Sequence, residues 1–325
     1  MDISLESIMQ VGQRLTRPFV AFLYGDTIIY WPYLLSAAVL AVGVTLITAR
    51  GTGQNFMGAI RLQLSPGIWW SDSTKADYRY YVVNALVFGM VFAPFIIASE
   101  ETGQRISAWL SSWLGHRDTP LFEPLTIRVA YTACFFIAYD LGRFLAHWVQ
   151  HMVPLLWQFH KVHHSAEKLT PMTSYRVHPV DLILMASGGN IFGGVVTGLF
   201  YYLGAGHVTI YTFLGTHLLI GIYNLIGNLR HSHVWLDYGW FDYIFISPAQ
   251  HQIHHSYLAR HINKNCGFAF AFWDALFGTL YVPKEKETFP LGLGDGSDGQ
   301  WHKVGRLYGW PVTMAVRLIM GKGDA

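Results

Sequence analysis

Histidine supplies the chemistry legible in this chain. His147 and His151 form HxxxH, His160, His163 and His164 form HxxHH, and the second pattern recurs 91 residues on as His251, His254 and His255. On a helix, positions i, i+3 and i+4 share a face, so each cluster is expected to aim its imidazoles at one point. With 16 His in 325 residues, HxxHH starts by chance at roughly one position in 8,000, and two copies are very unlikely. Convergent neutral imidazoles read as a metal site. With His231 the strong candidates number nine, too many for one ion, because zinc takes about four ligands and iron up to about six. Two ions is the natural count. No Glu lies in HExxH or ExxH, which excludes a zinc-protease helix and a soluble carboxylate-bridged di-iron bundle. Imidazole suits Zn, Cu, Fe and Ni alike, so ligand type alone does not select iron.

The elements that must position these histidines are apolar. The chain is 52% hydrophobic and only 13% charged, with 12 Trp, 18 Tyr and 21 Phe, the composition of an integral membrane protein. Net charge +2 and the lack of a basic stripe argue against nucleic acid. Cys134 and Cys266 stand apart with no CxxC, so no disulfide framework or zinc knuckle is expected. No cleavable signal peptide is expected, because Asp2 and Glu6 stand where a basic segment would be.

The hydrophobic pattern predicts an all-α bundle of about four to five spans with a helical histidine cap. Residues 1–24 read as an interfacial lead-in. Spans are expected at 27–48, 80–98, 126–145, 182–203 and 207–226, the last two forming a helical hairpin about Gly204-Ala205-Gly206. Gly189 and Gly193 form GxxxG, a helix-packing signal. The run 266–282 is short and contains Asp274, so it reads as buried or interfacial. Gly294 to Gly299 match GxGxxG without a flanking strand and helix, and read as a flexible loop.

This arrangement puts every histidine motif on one face of the membrane. Of 22 Lys and Arg, only Arg14, Arg17, Arg105, Arg117 and Arg128 fall on the opposite face. The positive-inside rule then makes the motif face cytoplasmic. Five crossings place the termini on opposite sides, with the C-terminus cytoplasmic.

The motifs resemble the fatty acid hydroxylase/sterol desaturase superfamily of integral-membrane, non-haem di-iron enzymes. The matching residues are Asp140, HxxxH at 147–151, LWxFHxVHHS at 156–165, Arg-Val-His-Pro at 176–179, His231-Ser232-His233 and HxIHHS at 251–256. His261, Asn263 to Gly267 and the run 273–279 extend the match. The family often has Tyr and Arg where this chain has Phe144 and Trp148, and Asn where it has His233. The resemblance implies that the metal ligands are His147, His151, His160, His163, His164, His231, His251, His254 and His255.

Other residues carry open assignments. His233 reads as a ligand or a donor beside one, and His178 as a partner of a ligand or a structural residue. His261 belongs to the same extended set. Asp140 would orient a ligand imidazole or pair with Arg143; for Asp274, orienting is favoured. His217 reads as a core hydrogen-bonder or cavity liner, and His116, His207 and His302 as surface residues.

Three segments follow: an N-terminal membrane region at 1–125, a family-like catalytic domain at 126–282 and a cytoplasmic tail at 283–325. The resemblance implies two Fe ions, with Zn as a substitute in recombinant material, and a membrane-lipid substrate that is hydroxylated or desaturated with O₂. Fatty acyl chains, sterols, carotenoids and alkylglycerol ethers all fall within the superfamily's range. No flavin, haem or ferredoxin motif is present, so a separate electron-donor protein of cytochrome b5 or ferredoxin type is expected. The contrasting reading is a metal-binding membrane transporter, whose ligands should lie near the bilayer midplane.

Overall fold

The computed structural model describes residue 12, residues 15–206 and residues 208–322. Asp2, Glu6, Arg14 and His207, and with them most of the N-terminal lead-in, lie outside the described residues. The chain is built from helices: α1 (Trp31–Thr52), α2 (Phe56–Gln63), α3 (Pro66–Trp69), α4 (Asp72–Val87), α5 (Ser99–Leu114), α6 (Pro124–Met152), α7 (Pro154–His164) and α8 (Pro179–Leu203). A two-stranded hairpin, β1 (Thr212–Phe213) and β2 (Thr216–His217), precedes α9 (Leu218–Gly227), α10 (Pro248–His254), α11 (Phe272–Phe277) and α12 (Val304–Ile319).

Among the described residues, four segments are long and apolar enough to cross a membrane: Trp31–Thr52, Asp72–Leu114, Pro124–Met152 and Pro179–Leu203. This is an integral membrane helical bundle. The second segment joins α4 to α5 through a π-helical turn at Phe88–Phe92 and a 3₁₀ turn at Ala93–Phe95, where Pro94 removes a helix donor.

The expected span at 207–226 is not a spanning helix. Val208, Thr209, Ile210, Thr212 and Thr216 favour extended backbone, and Leu214 and Gly215 take positive φ (51° and 81°) in the hairpin turn. Only the 10 residues of α9 are helical, about 15 Å of rise against about 30 Å of hydrocarbon. Backbone polar groups of this return path are satisfied against α6: Thr132 Oγ1 accepts from Tyr211 N, and His217 Nε2 donates to Thr132 O. Four long helices replace five crossings, which removes the count behind the expectation that the termini lie on opposite sides.

Glycines let the bundle close around α8. A Cβ on Gly142 of α6 would sit 2.2 Å from Gly188 O, and one on Gly198 2.5 Å from Ile106 Cβ of α5. Gly189 and Gly193 meet Tyr139 and Phe135 of α6 in the same way, so the GxxxG pair does pack helices. This contact joins α6, which carries His147 and His151, to α8, which carries Asp181.

The described part of the 283–325 segment, up to residue 322, is folded onto the cap. Trp301 and Leu307 pack with Tyr80 and Val162 of α4 and α7, and Trp301 stacks on Trp310. The GxGxxG loop is also built: the Asp298 carboxylate accepts from Leu293 N and Gly294 N, and Glu167 accepts from Gly299 N. A flexible loop was expected there; carboxylate caps hold it instead.

Candidate metal centre

Proline sets the geometry of the centre. Pro154 forces Val153 out of the helical region (φ −101°, ψ 112°), so α6 ends at Met152 and α7 starts at once in a new direction. His147 and His151 at the end of α6 thereby face His160 and His164 of α7. Downstream, Ser247 caps α10 through a reciprocal capping box with Gln250, with Pro248 at the first turn. That short buried helix carries His251 and His254, and His255 caps its end.

All nine candidate histidines come together, in two groups. One contains His147, His151, His160, His164 and His254; the other contains His163, His231, His251 and His255. Within each group, one nitrogen per ring lies within 4.8 Å of all the others. Each HxxHH motif is therefore split, contrary to the expectation that it aims at one point. His160 and His164 (i, i+4) join the first group while His163 (i+3) joins the second; His251 and His255 join the second while His254 joins the first. At about 100° per residue, i+4 lies about 40° from i in one sense and i+3 about 60° in the other. The two HxxHH helices exchange their odd members.

The donor set fits bound cations. His147 Nδ1–H donates to Cys266 O at 2.6 Å, His254 Nδ1–H to Lys264 O at 2.7 Å, and His160 Nδ1–H to Asp181 Oδ2 at 3.0 Å. A neutral imidazole that donates its Nδ1–H to an acceptor presents a lone pair at Nε2. Yet His147 Nε2 is 3.0 Å from His160 Nε2 and 3.1 Å from His254 Nε2. Lone pairs aimed at each other at that separation repel unless a cation lies among them. In the second group, His231 Nε2 is 3.0 to 3.1 Å from the Nε2 atoms of His251, His163 and His255.

Burial keeps these rings in the ligand form. It pushes the imidazoles of His163 and His254 down to about 3, and those of His164, His231, His251 and His255 well below the ordinary value. A neutral imidazole is what a metal binds.

The remaining sequence candidates fall outside both groups. The Asp140 carboxylate accepts from Ala269 N, Phe270 N and the Trp273 indole, holding the 269–273 loop and making no hydrogen bond to a histidine. Asp274 accepts from Cys266 N, Gly267 N and Thr279 Oγ1. It thus positions the Cys266 carbonyl that receives the His147 proton, acting one link away from the imidazole. His178 caps α8 by accepting from Val180 N, and its Nε2 donates to Tyr308 O. His261 pairs with Glu287 at 3.1 Å, and His233 packs edge-on to Trp69. His217 caps α9 by accepting from Leu219 N.

Sequence reasoning passed over several groups that orient the rings. Asp181 was signalled by an acid in the first turn of a helix opened by His178-Pro179. Arg230, adjacent to His231 in a charge-poor stretch, places Nη2 2.7 Å from His251 Nδ1. Ser174 Oγ is 2.9 Å from His231 Nδ1. The wholly buried Arg176–Asp77 ion pair, at 2.9 Å, ties the end of α7 to α4 while Arg176 also donates to Ser165 O and Trp301 O. A cavity of about 290 Å³ reaches His151, His164, His254 and His255 beneath Tyr257 and Leu293.

The structure is a membrane helical bundle that gathers nine imidazoles, eight buried and His151 half-buried, and comparison with known proteins shows what the chain is similar to. Residues 132–279 match the fatty acid hydroxylase family model. The chain is 30% identical over 154 residues to ornithine lipid hydroxylase OlsE of Rhizobium tropici, covering 47% of this chain and 43% of that protein. It is 25% identical over 157 residues to alkylglycerol monooxygenase of Homo sapiens (48% and 32% covered) and 26% identical over 159 residues to C-4 methylsterol oxidase erg25 of Schizosaccharomyces pombe (49% and 49%). The chain spans between about a third and a half of the length of these curated relatives. No solved structure matches it.

Proposed function

We propose that this chain is a membrane-bound, O₂-dependent di-iron oxygenase that hydroxylates a lipid, with desaturation as the close chemical variant. The observation that carries the reading is the pair of converging imidazole groups, with lone pairs turned inward in the first of them. The matched family and its named lipid hydroxylases support the substrate class. In this reading His147, His151, His160, His164 and His254 hold one ion, and His163, His231, His251 and His255 hold the other. Bound iron would supply the capacity to reduce O₂ and oxidise an unactivated C–H bond.

The balance is R–H + O₂ + 2e⁻ + 2H⁺ giving R–OH + H₂O. The two electrons come from a separate donor protein of cytochrome b5 or ferredoxin type, because none of the chain's motifs binds flavin, haem or an iron–sulfur cluster. The protein's own work is orientation and exclusion of water. The carbonyls of Cys266 and Lys264 and the Asp181 carboxylate fix which nitrogen of each ring faces inward. Tyr257, Gly292 and Leu293, beside the Ser256–Leu291 bridge, line the cavity that reaches His151, His164, His254 and His255. We assign the histidine face to the cytoplasm, where the donor protein is available, and residues 126–282 to the catalytic domain, with 1–125 an N-terminal membrane region.

Extraction of lipids from cells with and without this chain, followed by mass spectrometry, tests the reading. A lipid gaining one oxygen only when the chain is present supports it. Metal uptake without any oxidised lipid would instead favour the transporter.

A further inference from the structure

An apolar cavity lies apart from the nine clustered histidines. It encloses about 560 Å³ between α1, which contributes Leu34, Ala41 and Thr45, and the turn that contributes Asn228, Ser232 and Val234. Its wall is almost wholly hydrocarbon. Val42 and Leu64 both line it and are 47% and 66% exposed, so it opens on the outer face of α1, a helix apolar enough to lie in the bilayer.

A second cavity, of about 660 Å³, adjoins it. The two share Thr45, Gln63, His233 and Val234, and the second adds the polar side chains of Gln54, Ser65, Asp237 and Lys286 beside apolar ones such as Leu62 and Ile68. An occupant of both must be hydrocarbon over one part and polar over the other. The polar end carries one basic and one acidic side chain, and amide, hydroxyl and imidazole groups that both donate and accept.

From these observations we propose that the paired cavities bind one bilayer lipid, its alkyl chain between α1 and the 228–234 turn and an uncharged or zwitterionic head group at Gln63, His233, Asp237 and Lys286. This rests on the oxygenase reading only for what happens to the lipid afterwards. The site joins the histidines through sequence neighbours: Leu229 and Ser232 line the cavity and flank Arg230 and His231, and Met172 lies two residues before Ser174. The second histidine group is therefore the nearer one.

Two consequences follow from the chemistry. A chain moving from bilayer to an apolar cavity gains little from the hydrophobic effect, because lipid tails are as apolar as leucine. Selection must then come from shape and from the polar end. In addition, α1, α2 and α3 all precede the family-matched segment, which starts at residue 132. The wall along the alkyl chain thus comes partly from outside the matched segment, while His233 and Asp237 of the polar end lie within it.

Photolabelling in nanodiscs tests the site without relying on turnover. The probe is a phosphatidylcholine with a diazirine in one acyl chain, and adducts are mapped by peptide mass spectrometry. Adducts are expected within 34–45 and 228–234. Ala41→Trp should cut them at least tenfold while metal content stays at the wild-type value. Ala38→Trp, at the exposed mouth, should give the same loss if Ala41→Trp fails to fold. A phosphatidylcholine competitor should displace the probe at a concentration about tenfold lower than phosphatidylglycerol. Adducts that persist in both variants, or that map to Tyr257 and Leu293, overturn the chain site; equal competition overturns the head-group assignment. Labelling without any oxidised product in cells would sink the oxygenase reading and leave the lipid site standing.

Discussion

The two histidine groups, of five and four rings, differ in what stands behind the rings. Behind the first are acceptors: the carbonyls of Cys266 and Lys264 and the Asp181 carboxylate each take an Nδ1 proton. Behind the second are a hydroxyl, Ser174, and a guanidinium, Arg230. A guanidinium has no acceptor, so His251 Nδ1 must accept from it, and its Nε2 then carries the proton toward His231. Acceptors raise the basicity of a ligand imidazole, whereas a cation behind it withdraws charge. The sequence motifs look interchangeable, and the surroundings make them unequal.

That difference gives an ordered set of tests. The largest effect is expected from His254→Ala and His163→Ala, which remove one ring from the first and second group respectively. Each should lower lipid oxidation by at least about 100-fold, since both groups are needed together. Metal analysis should find about one of two ions retained in each variant. Retention of both ions with full product output would break the assignment of ligands.

Asp181→Asn keeps an acceptor for His160 but removes the negative charge. Loss of about 10- to 100-fold in metal affinity is expected at the first group, read as an added loss of one ion in a chelator series. Ser174→Ala should act on the second group and by less, because a neutral hydroxyl is exchanged for none. Equal effects would mean that the charge at Asp181 does not tune its group.

In the unaltered protein, stepwise chelation should remove the second-group ion first. The guanidinium of Arg230 opposes a nearby cation, and occupation by metal must displace the His251 Nε2 proton. The two steps should be separated by about tenfold in chelator concentration. Simultaneous release would show that the groups behave as one site.

The smallest effect is expected at His217, away from both groups. His217→Ala removes the cap of α9 and the donor to Thr132 O, costing about 1 kcal/mol of stability. A modest fall in the melting temperature with both ions retained is the expected result. A transporter would give the reverse ranking, with this residue dominating uptake and the clustered histidines merely modulating it.

Spacing alone determined much of this protein. HxxxH and HxxHH are local patterns, and helix geometry decides which rings leave the same side. Four of the five apolar runs are likewise local, since a long uncharged stretch can satisfy its backbone only as a helix in hydrocarbon. The fifth run misled because hydropathy does not register two positive-φ residues at 214 and 215 within a β-branched stretch. The splitting of each HxxHH motif was decided elsewhere. Whether His163 joins His164 or His231 depends on how α7 meets α10 and the turn after α9, contacts between residues 68 and more apart. The roles of Asp140 and Asp274 were decided in the same way. A carboxylate beside a histidine motif can orient a ring or hold a loop, and only the backbone N–H groups of 266–270 show that both hold loops. Sequence fixes which atoms a helix presents on one face; packing between distant segments fixes what those atoms meet.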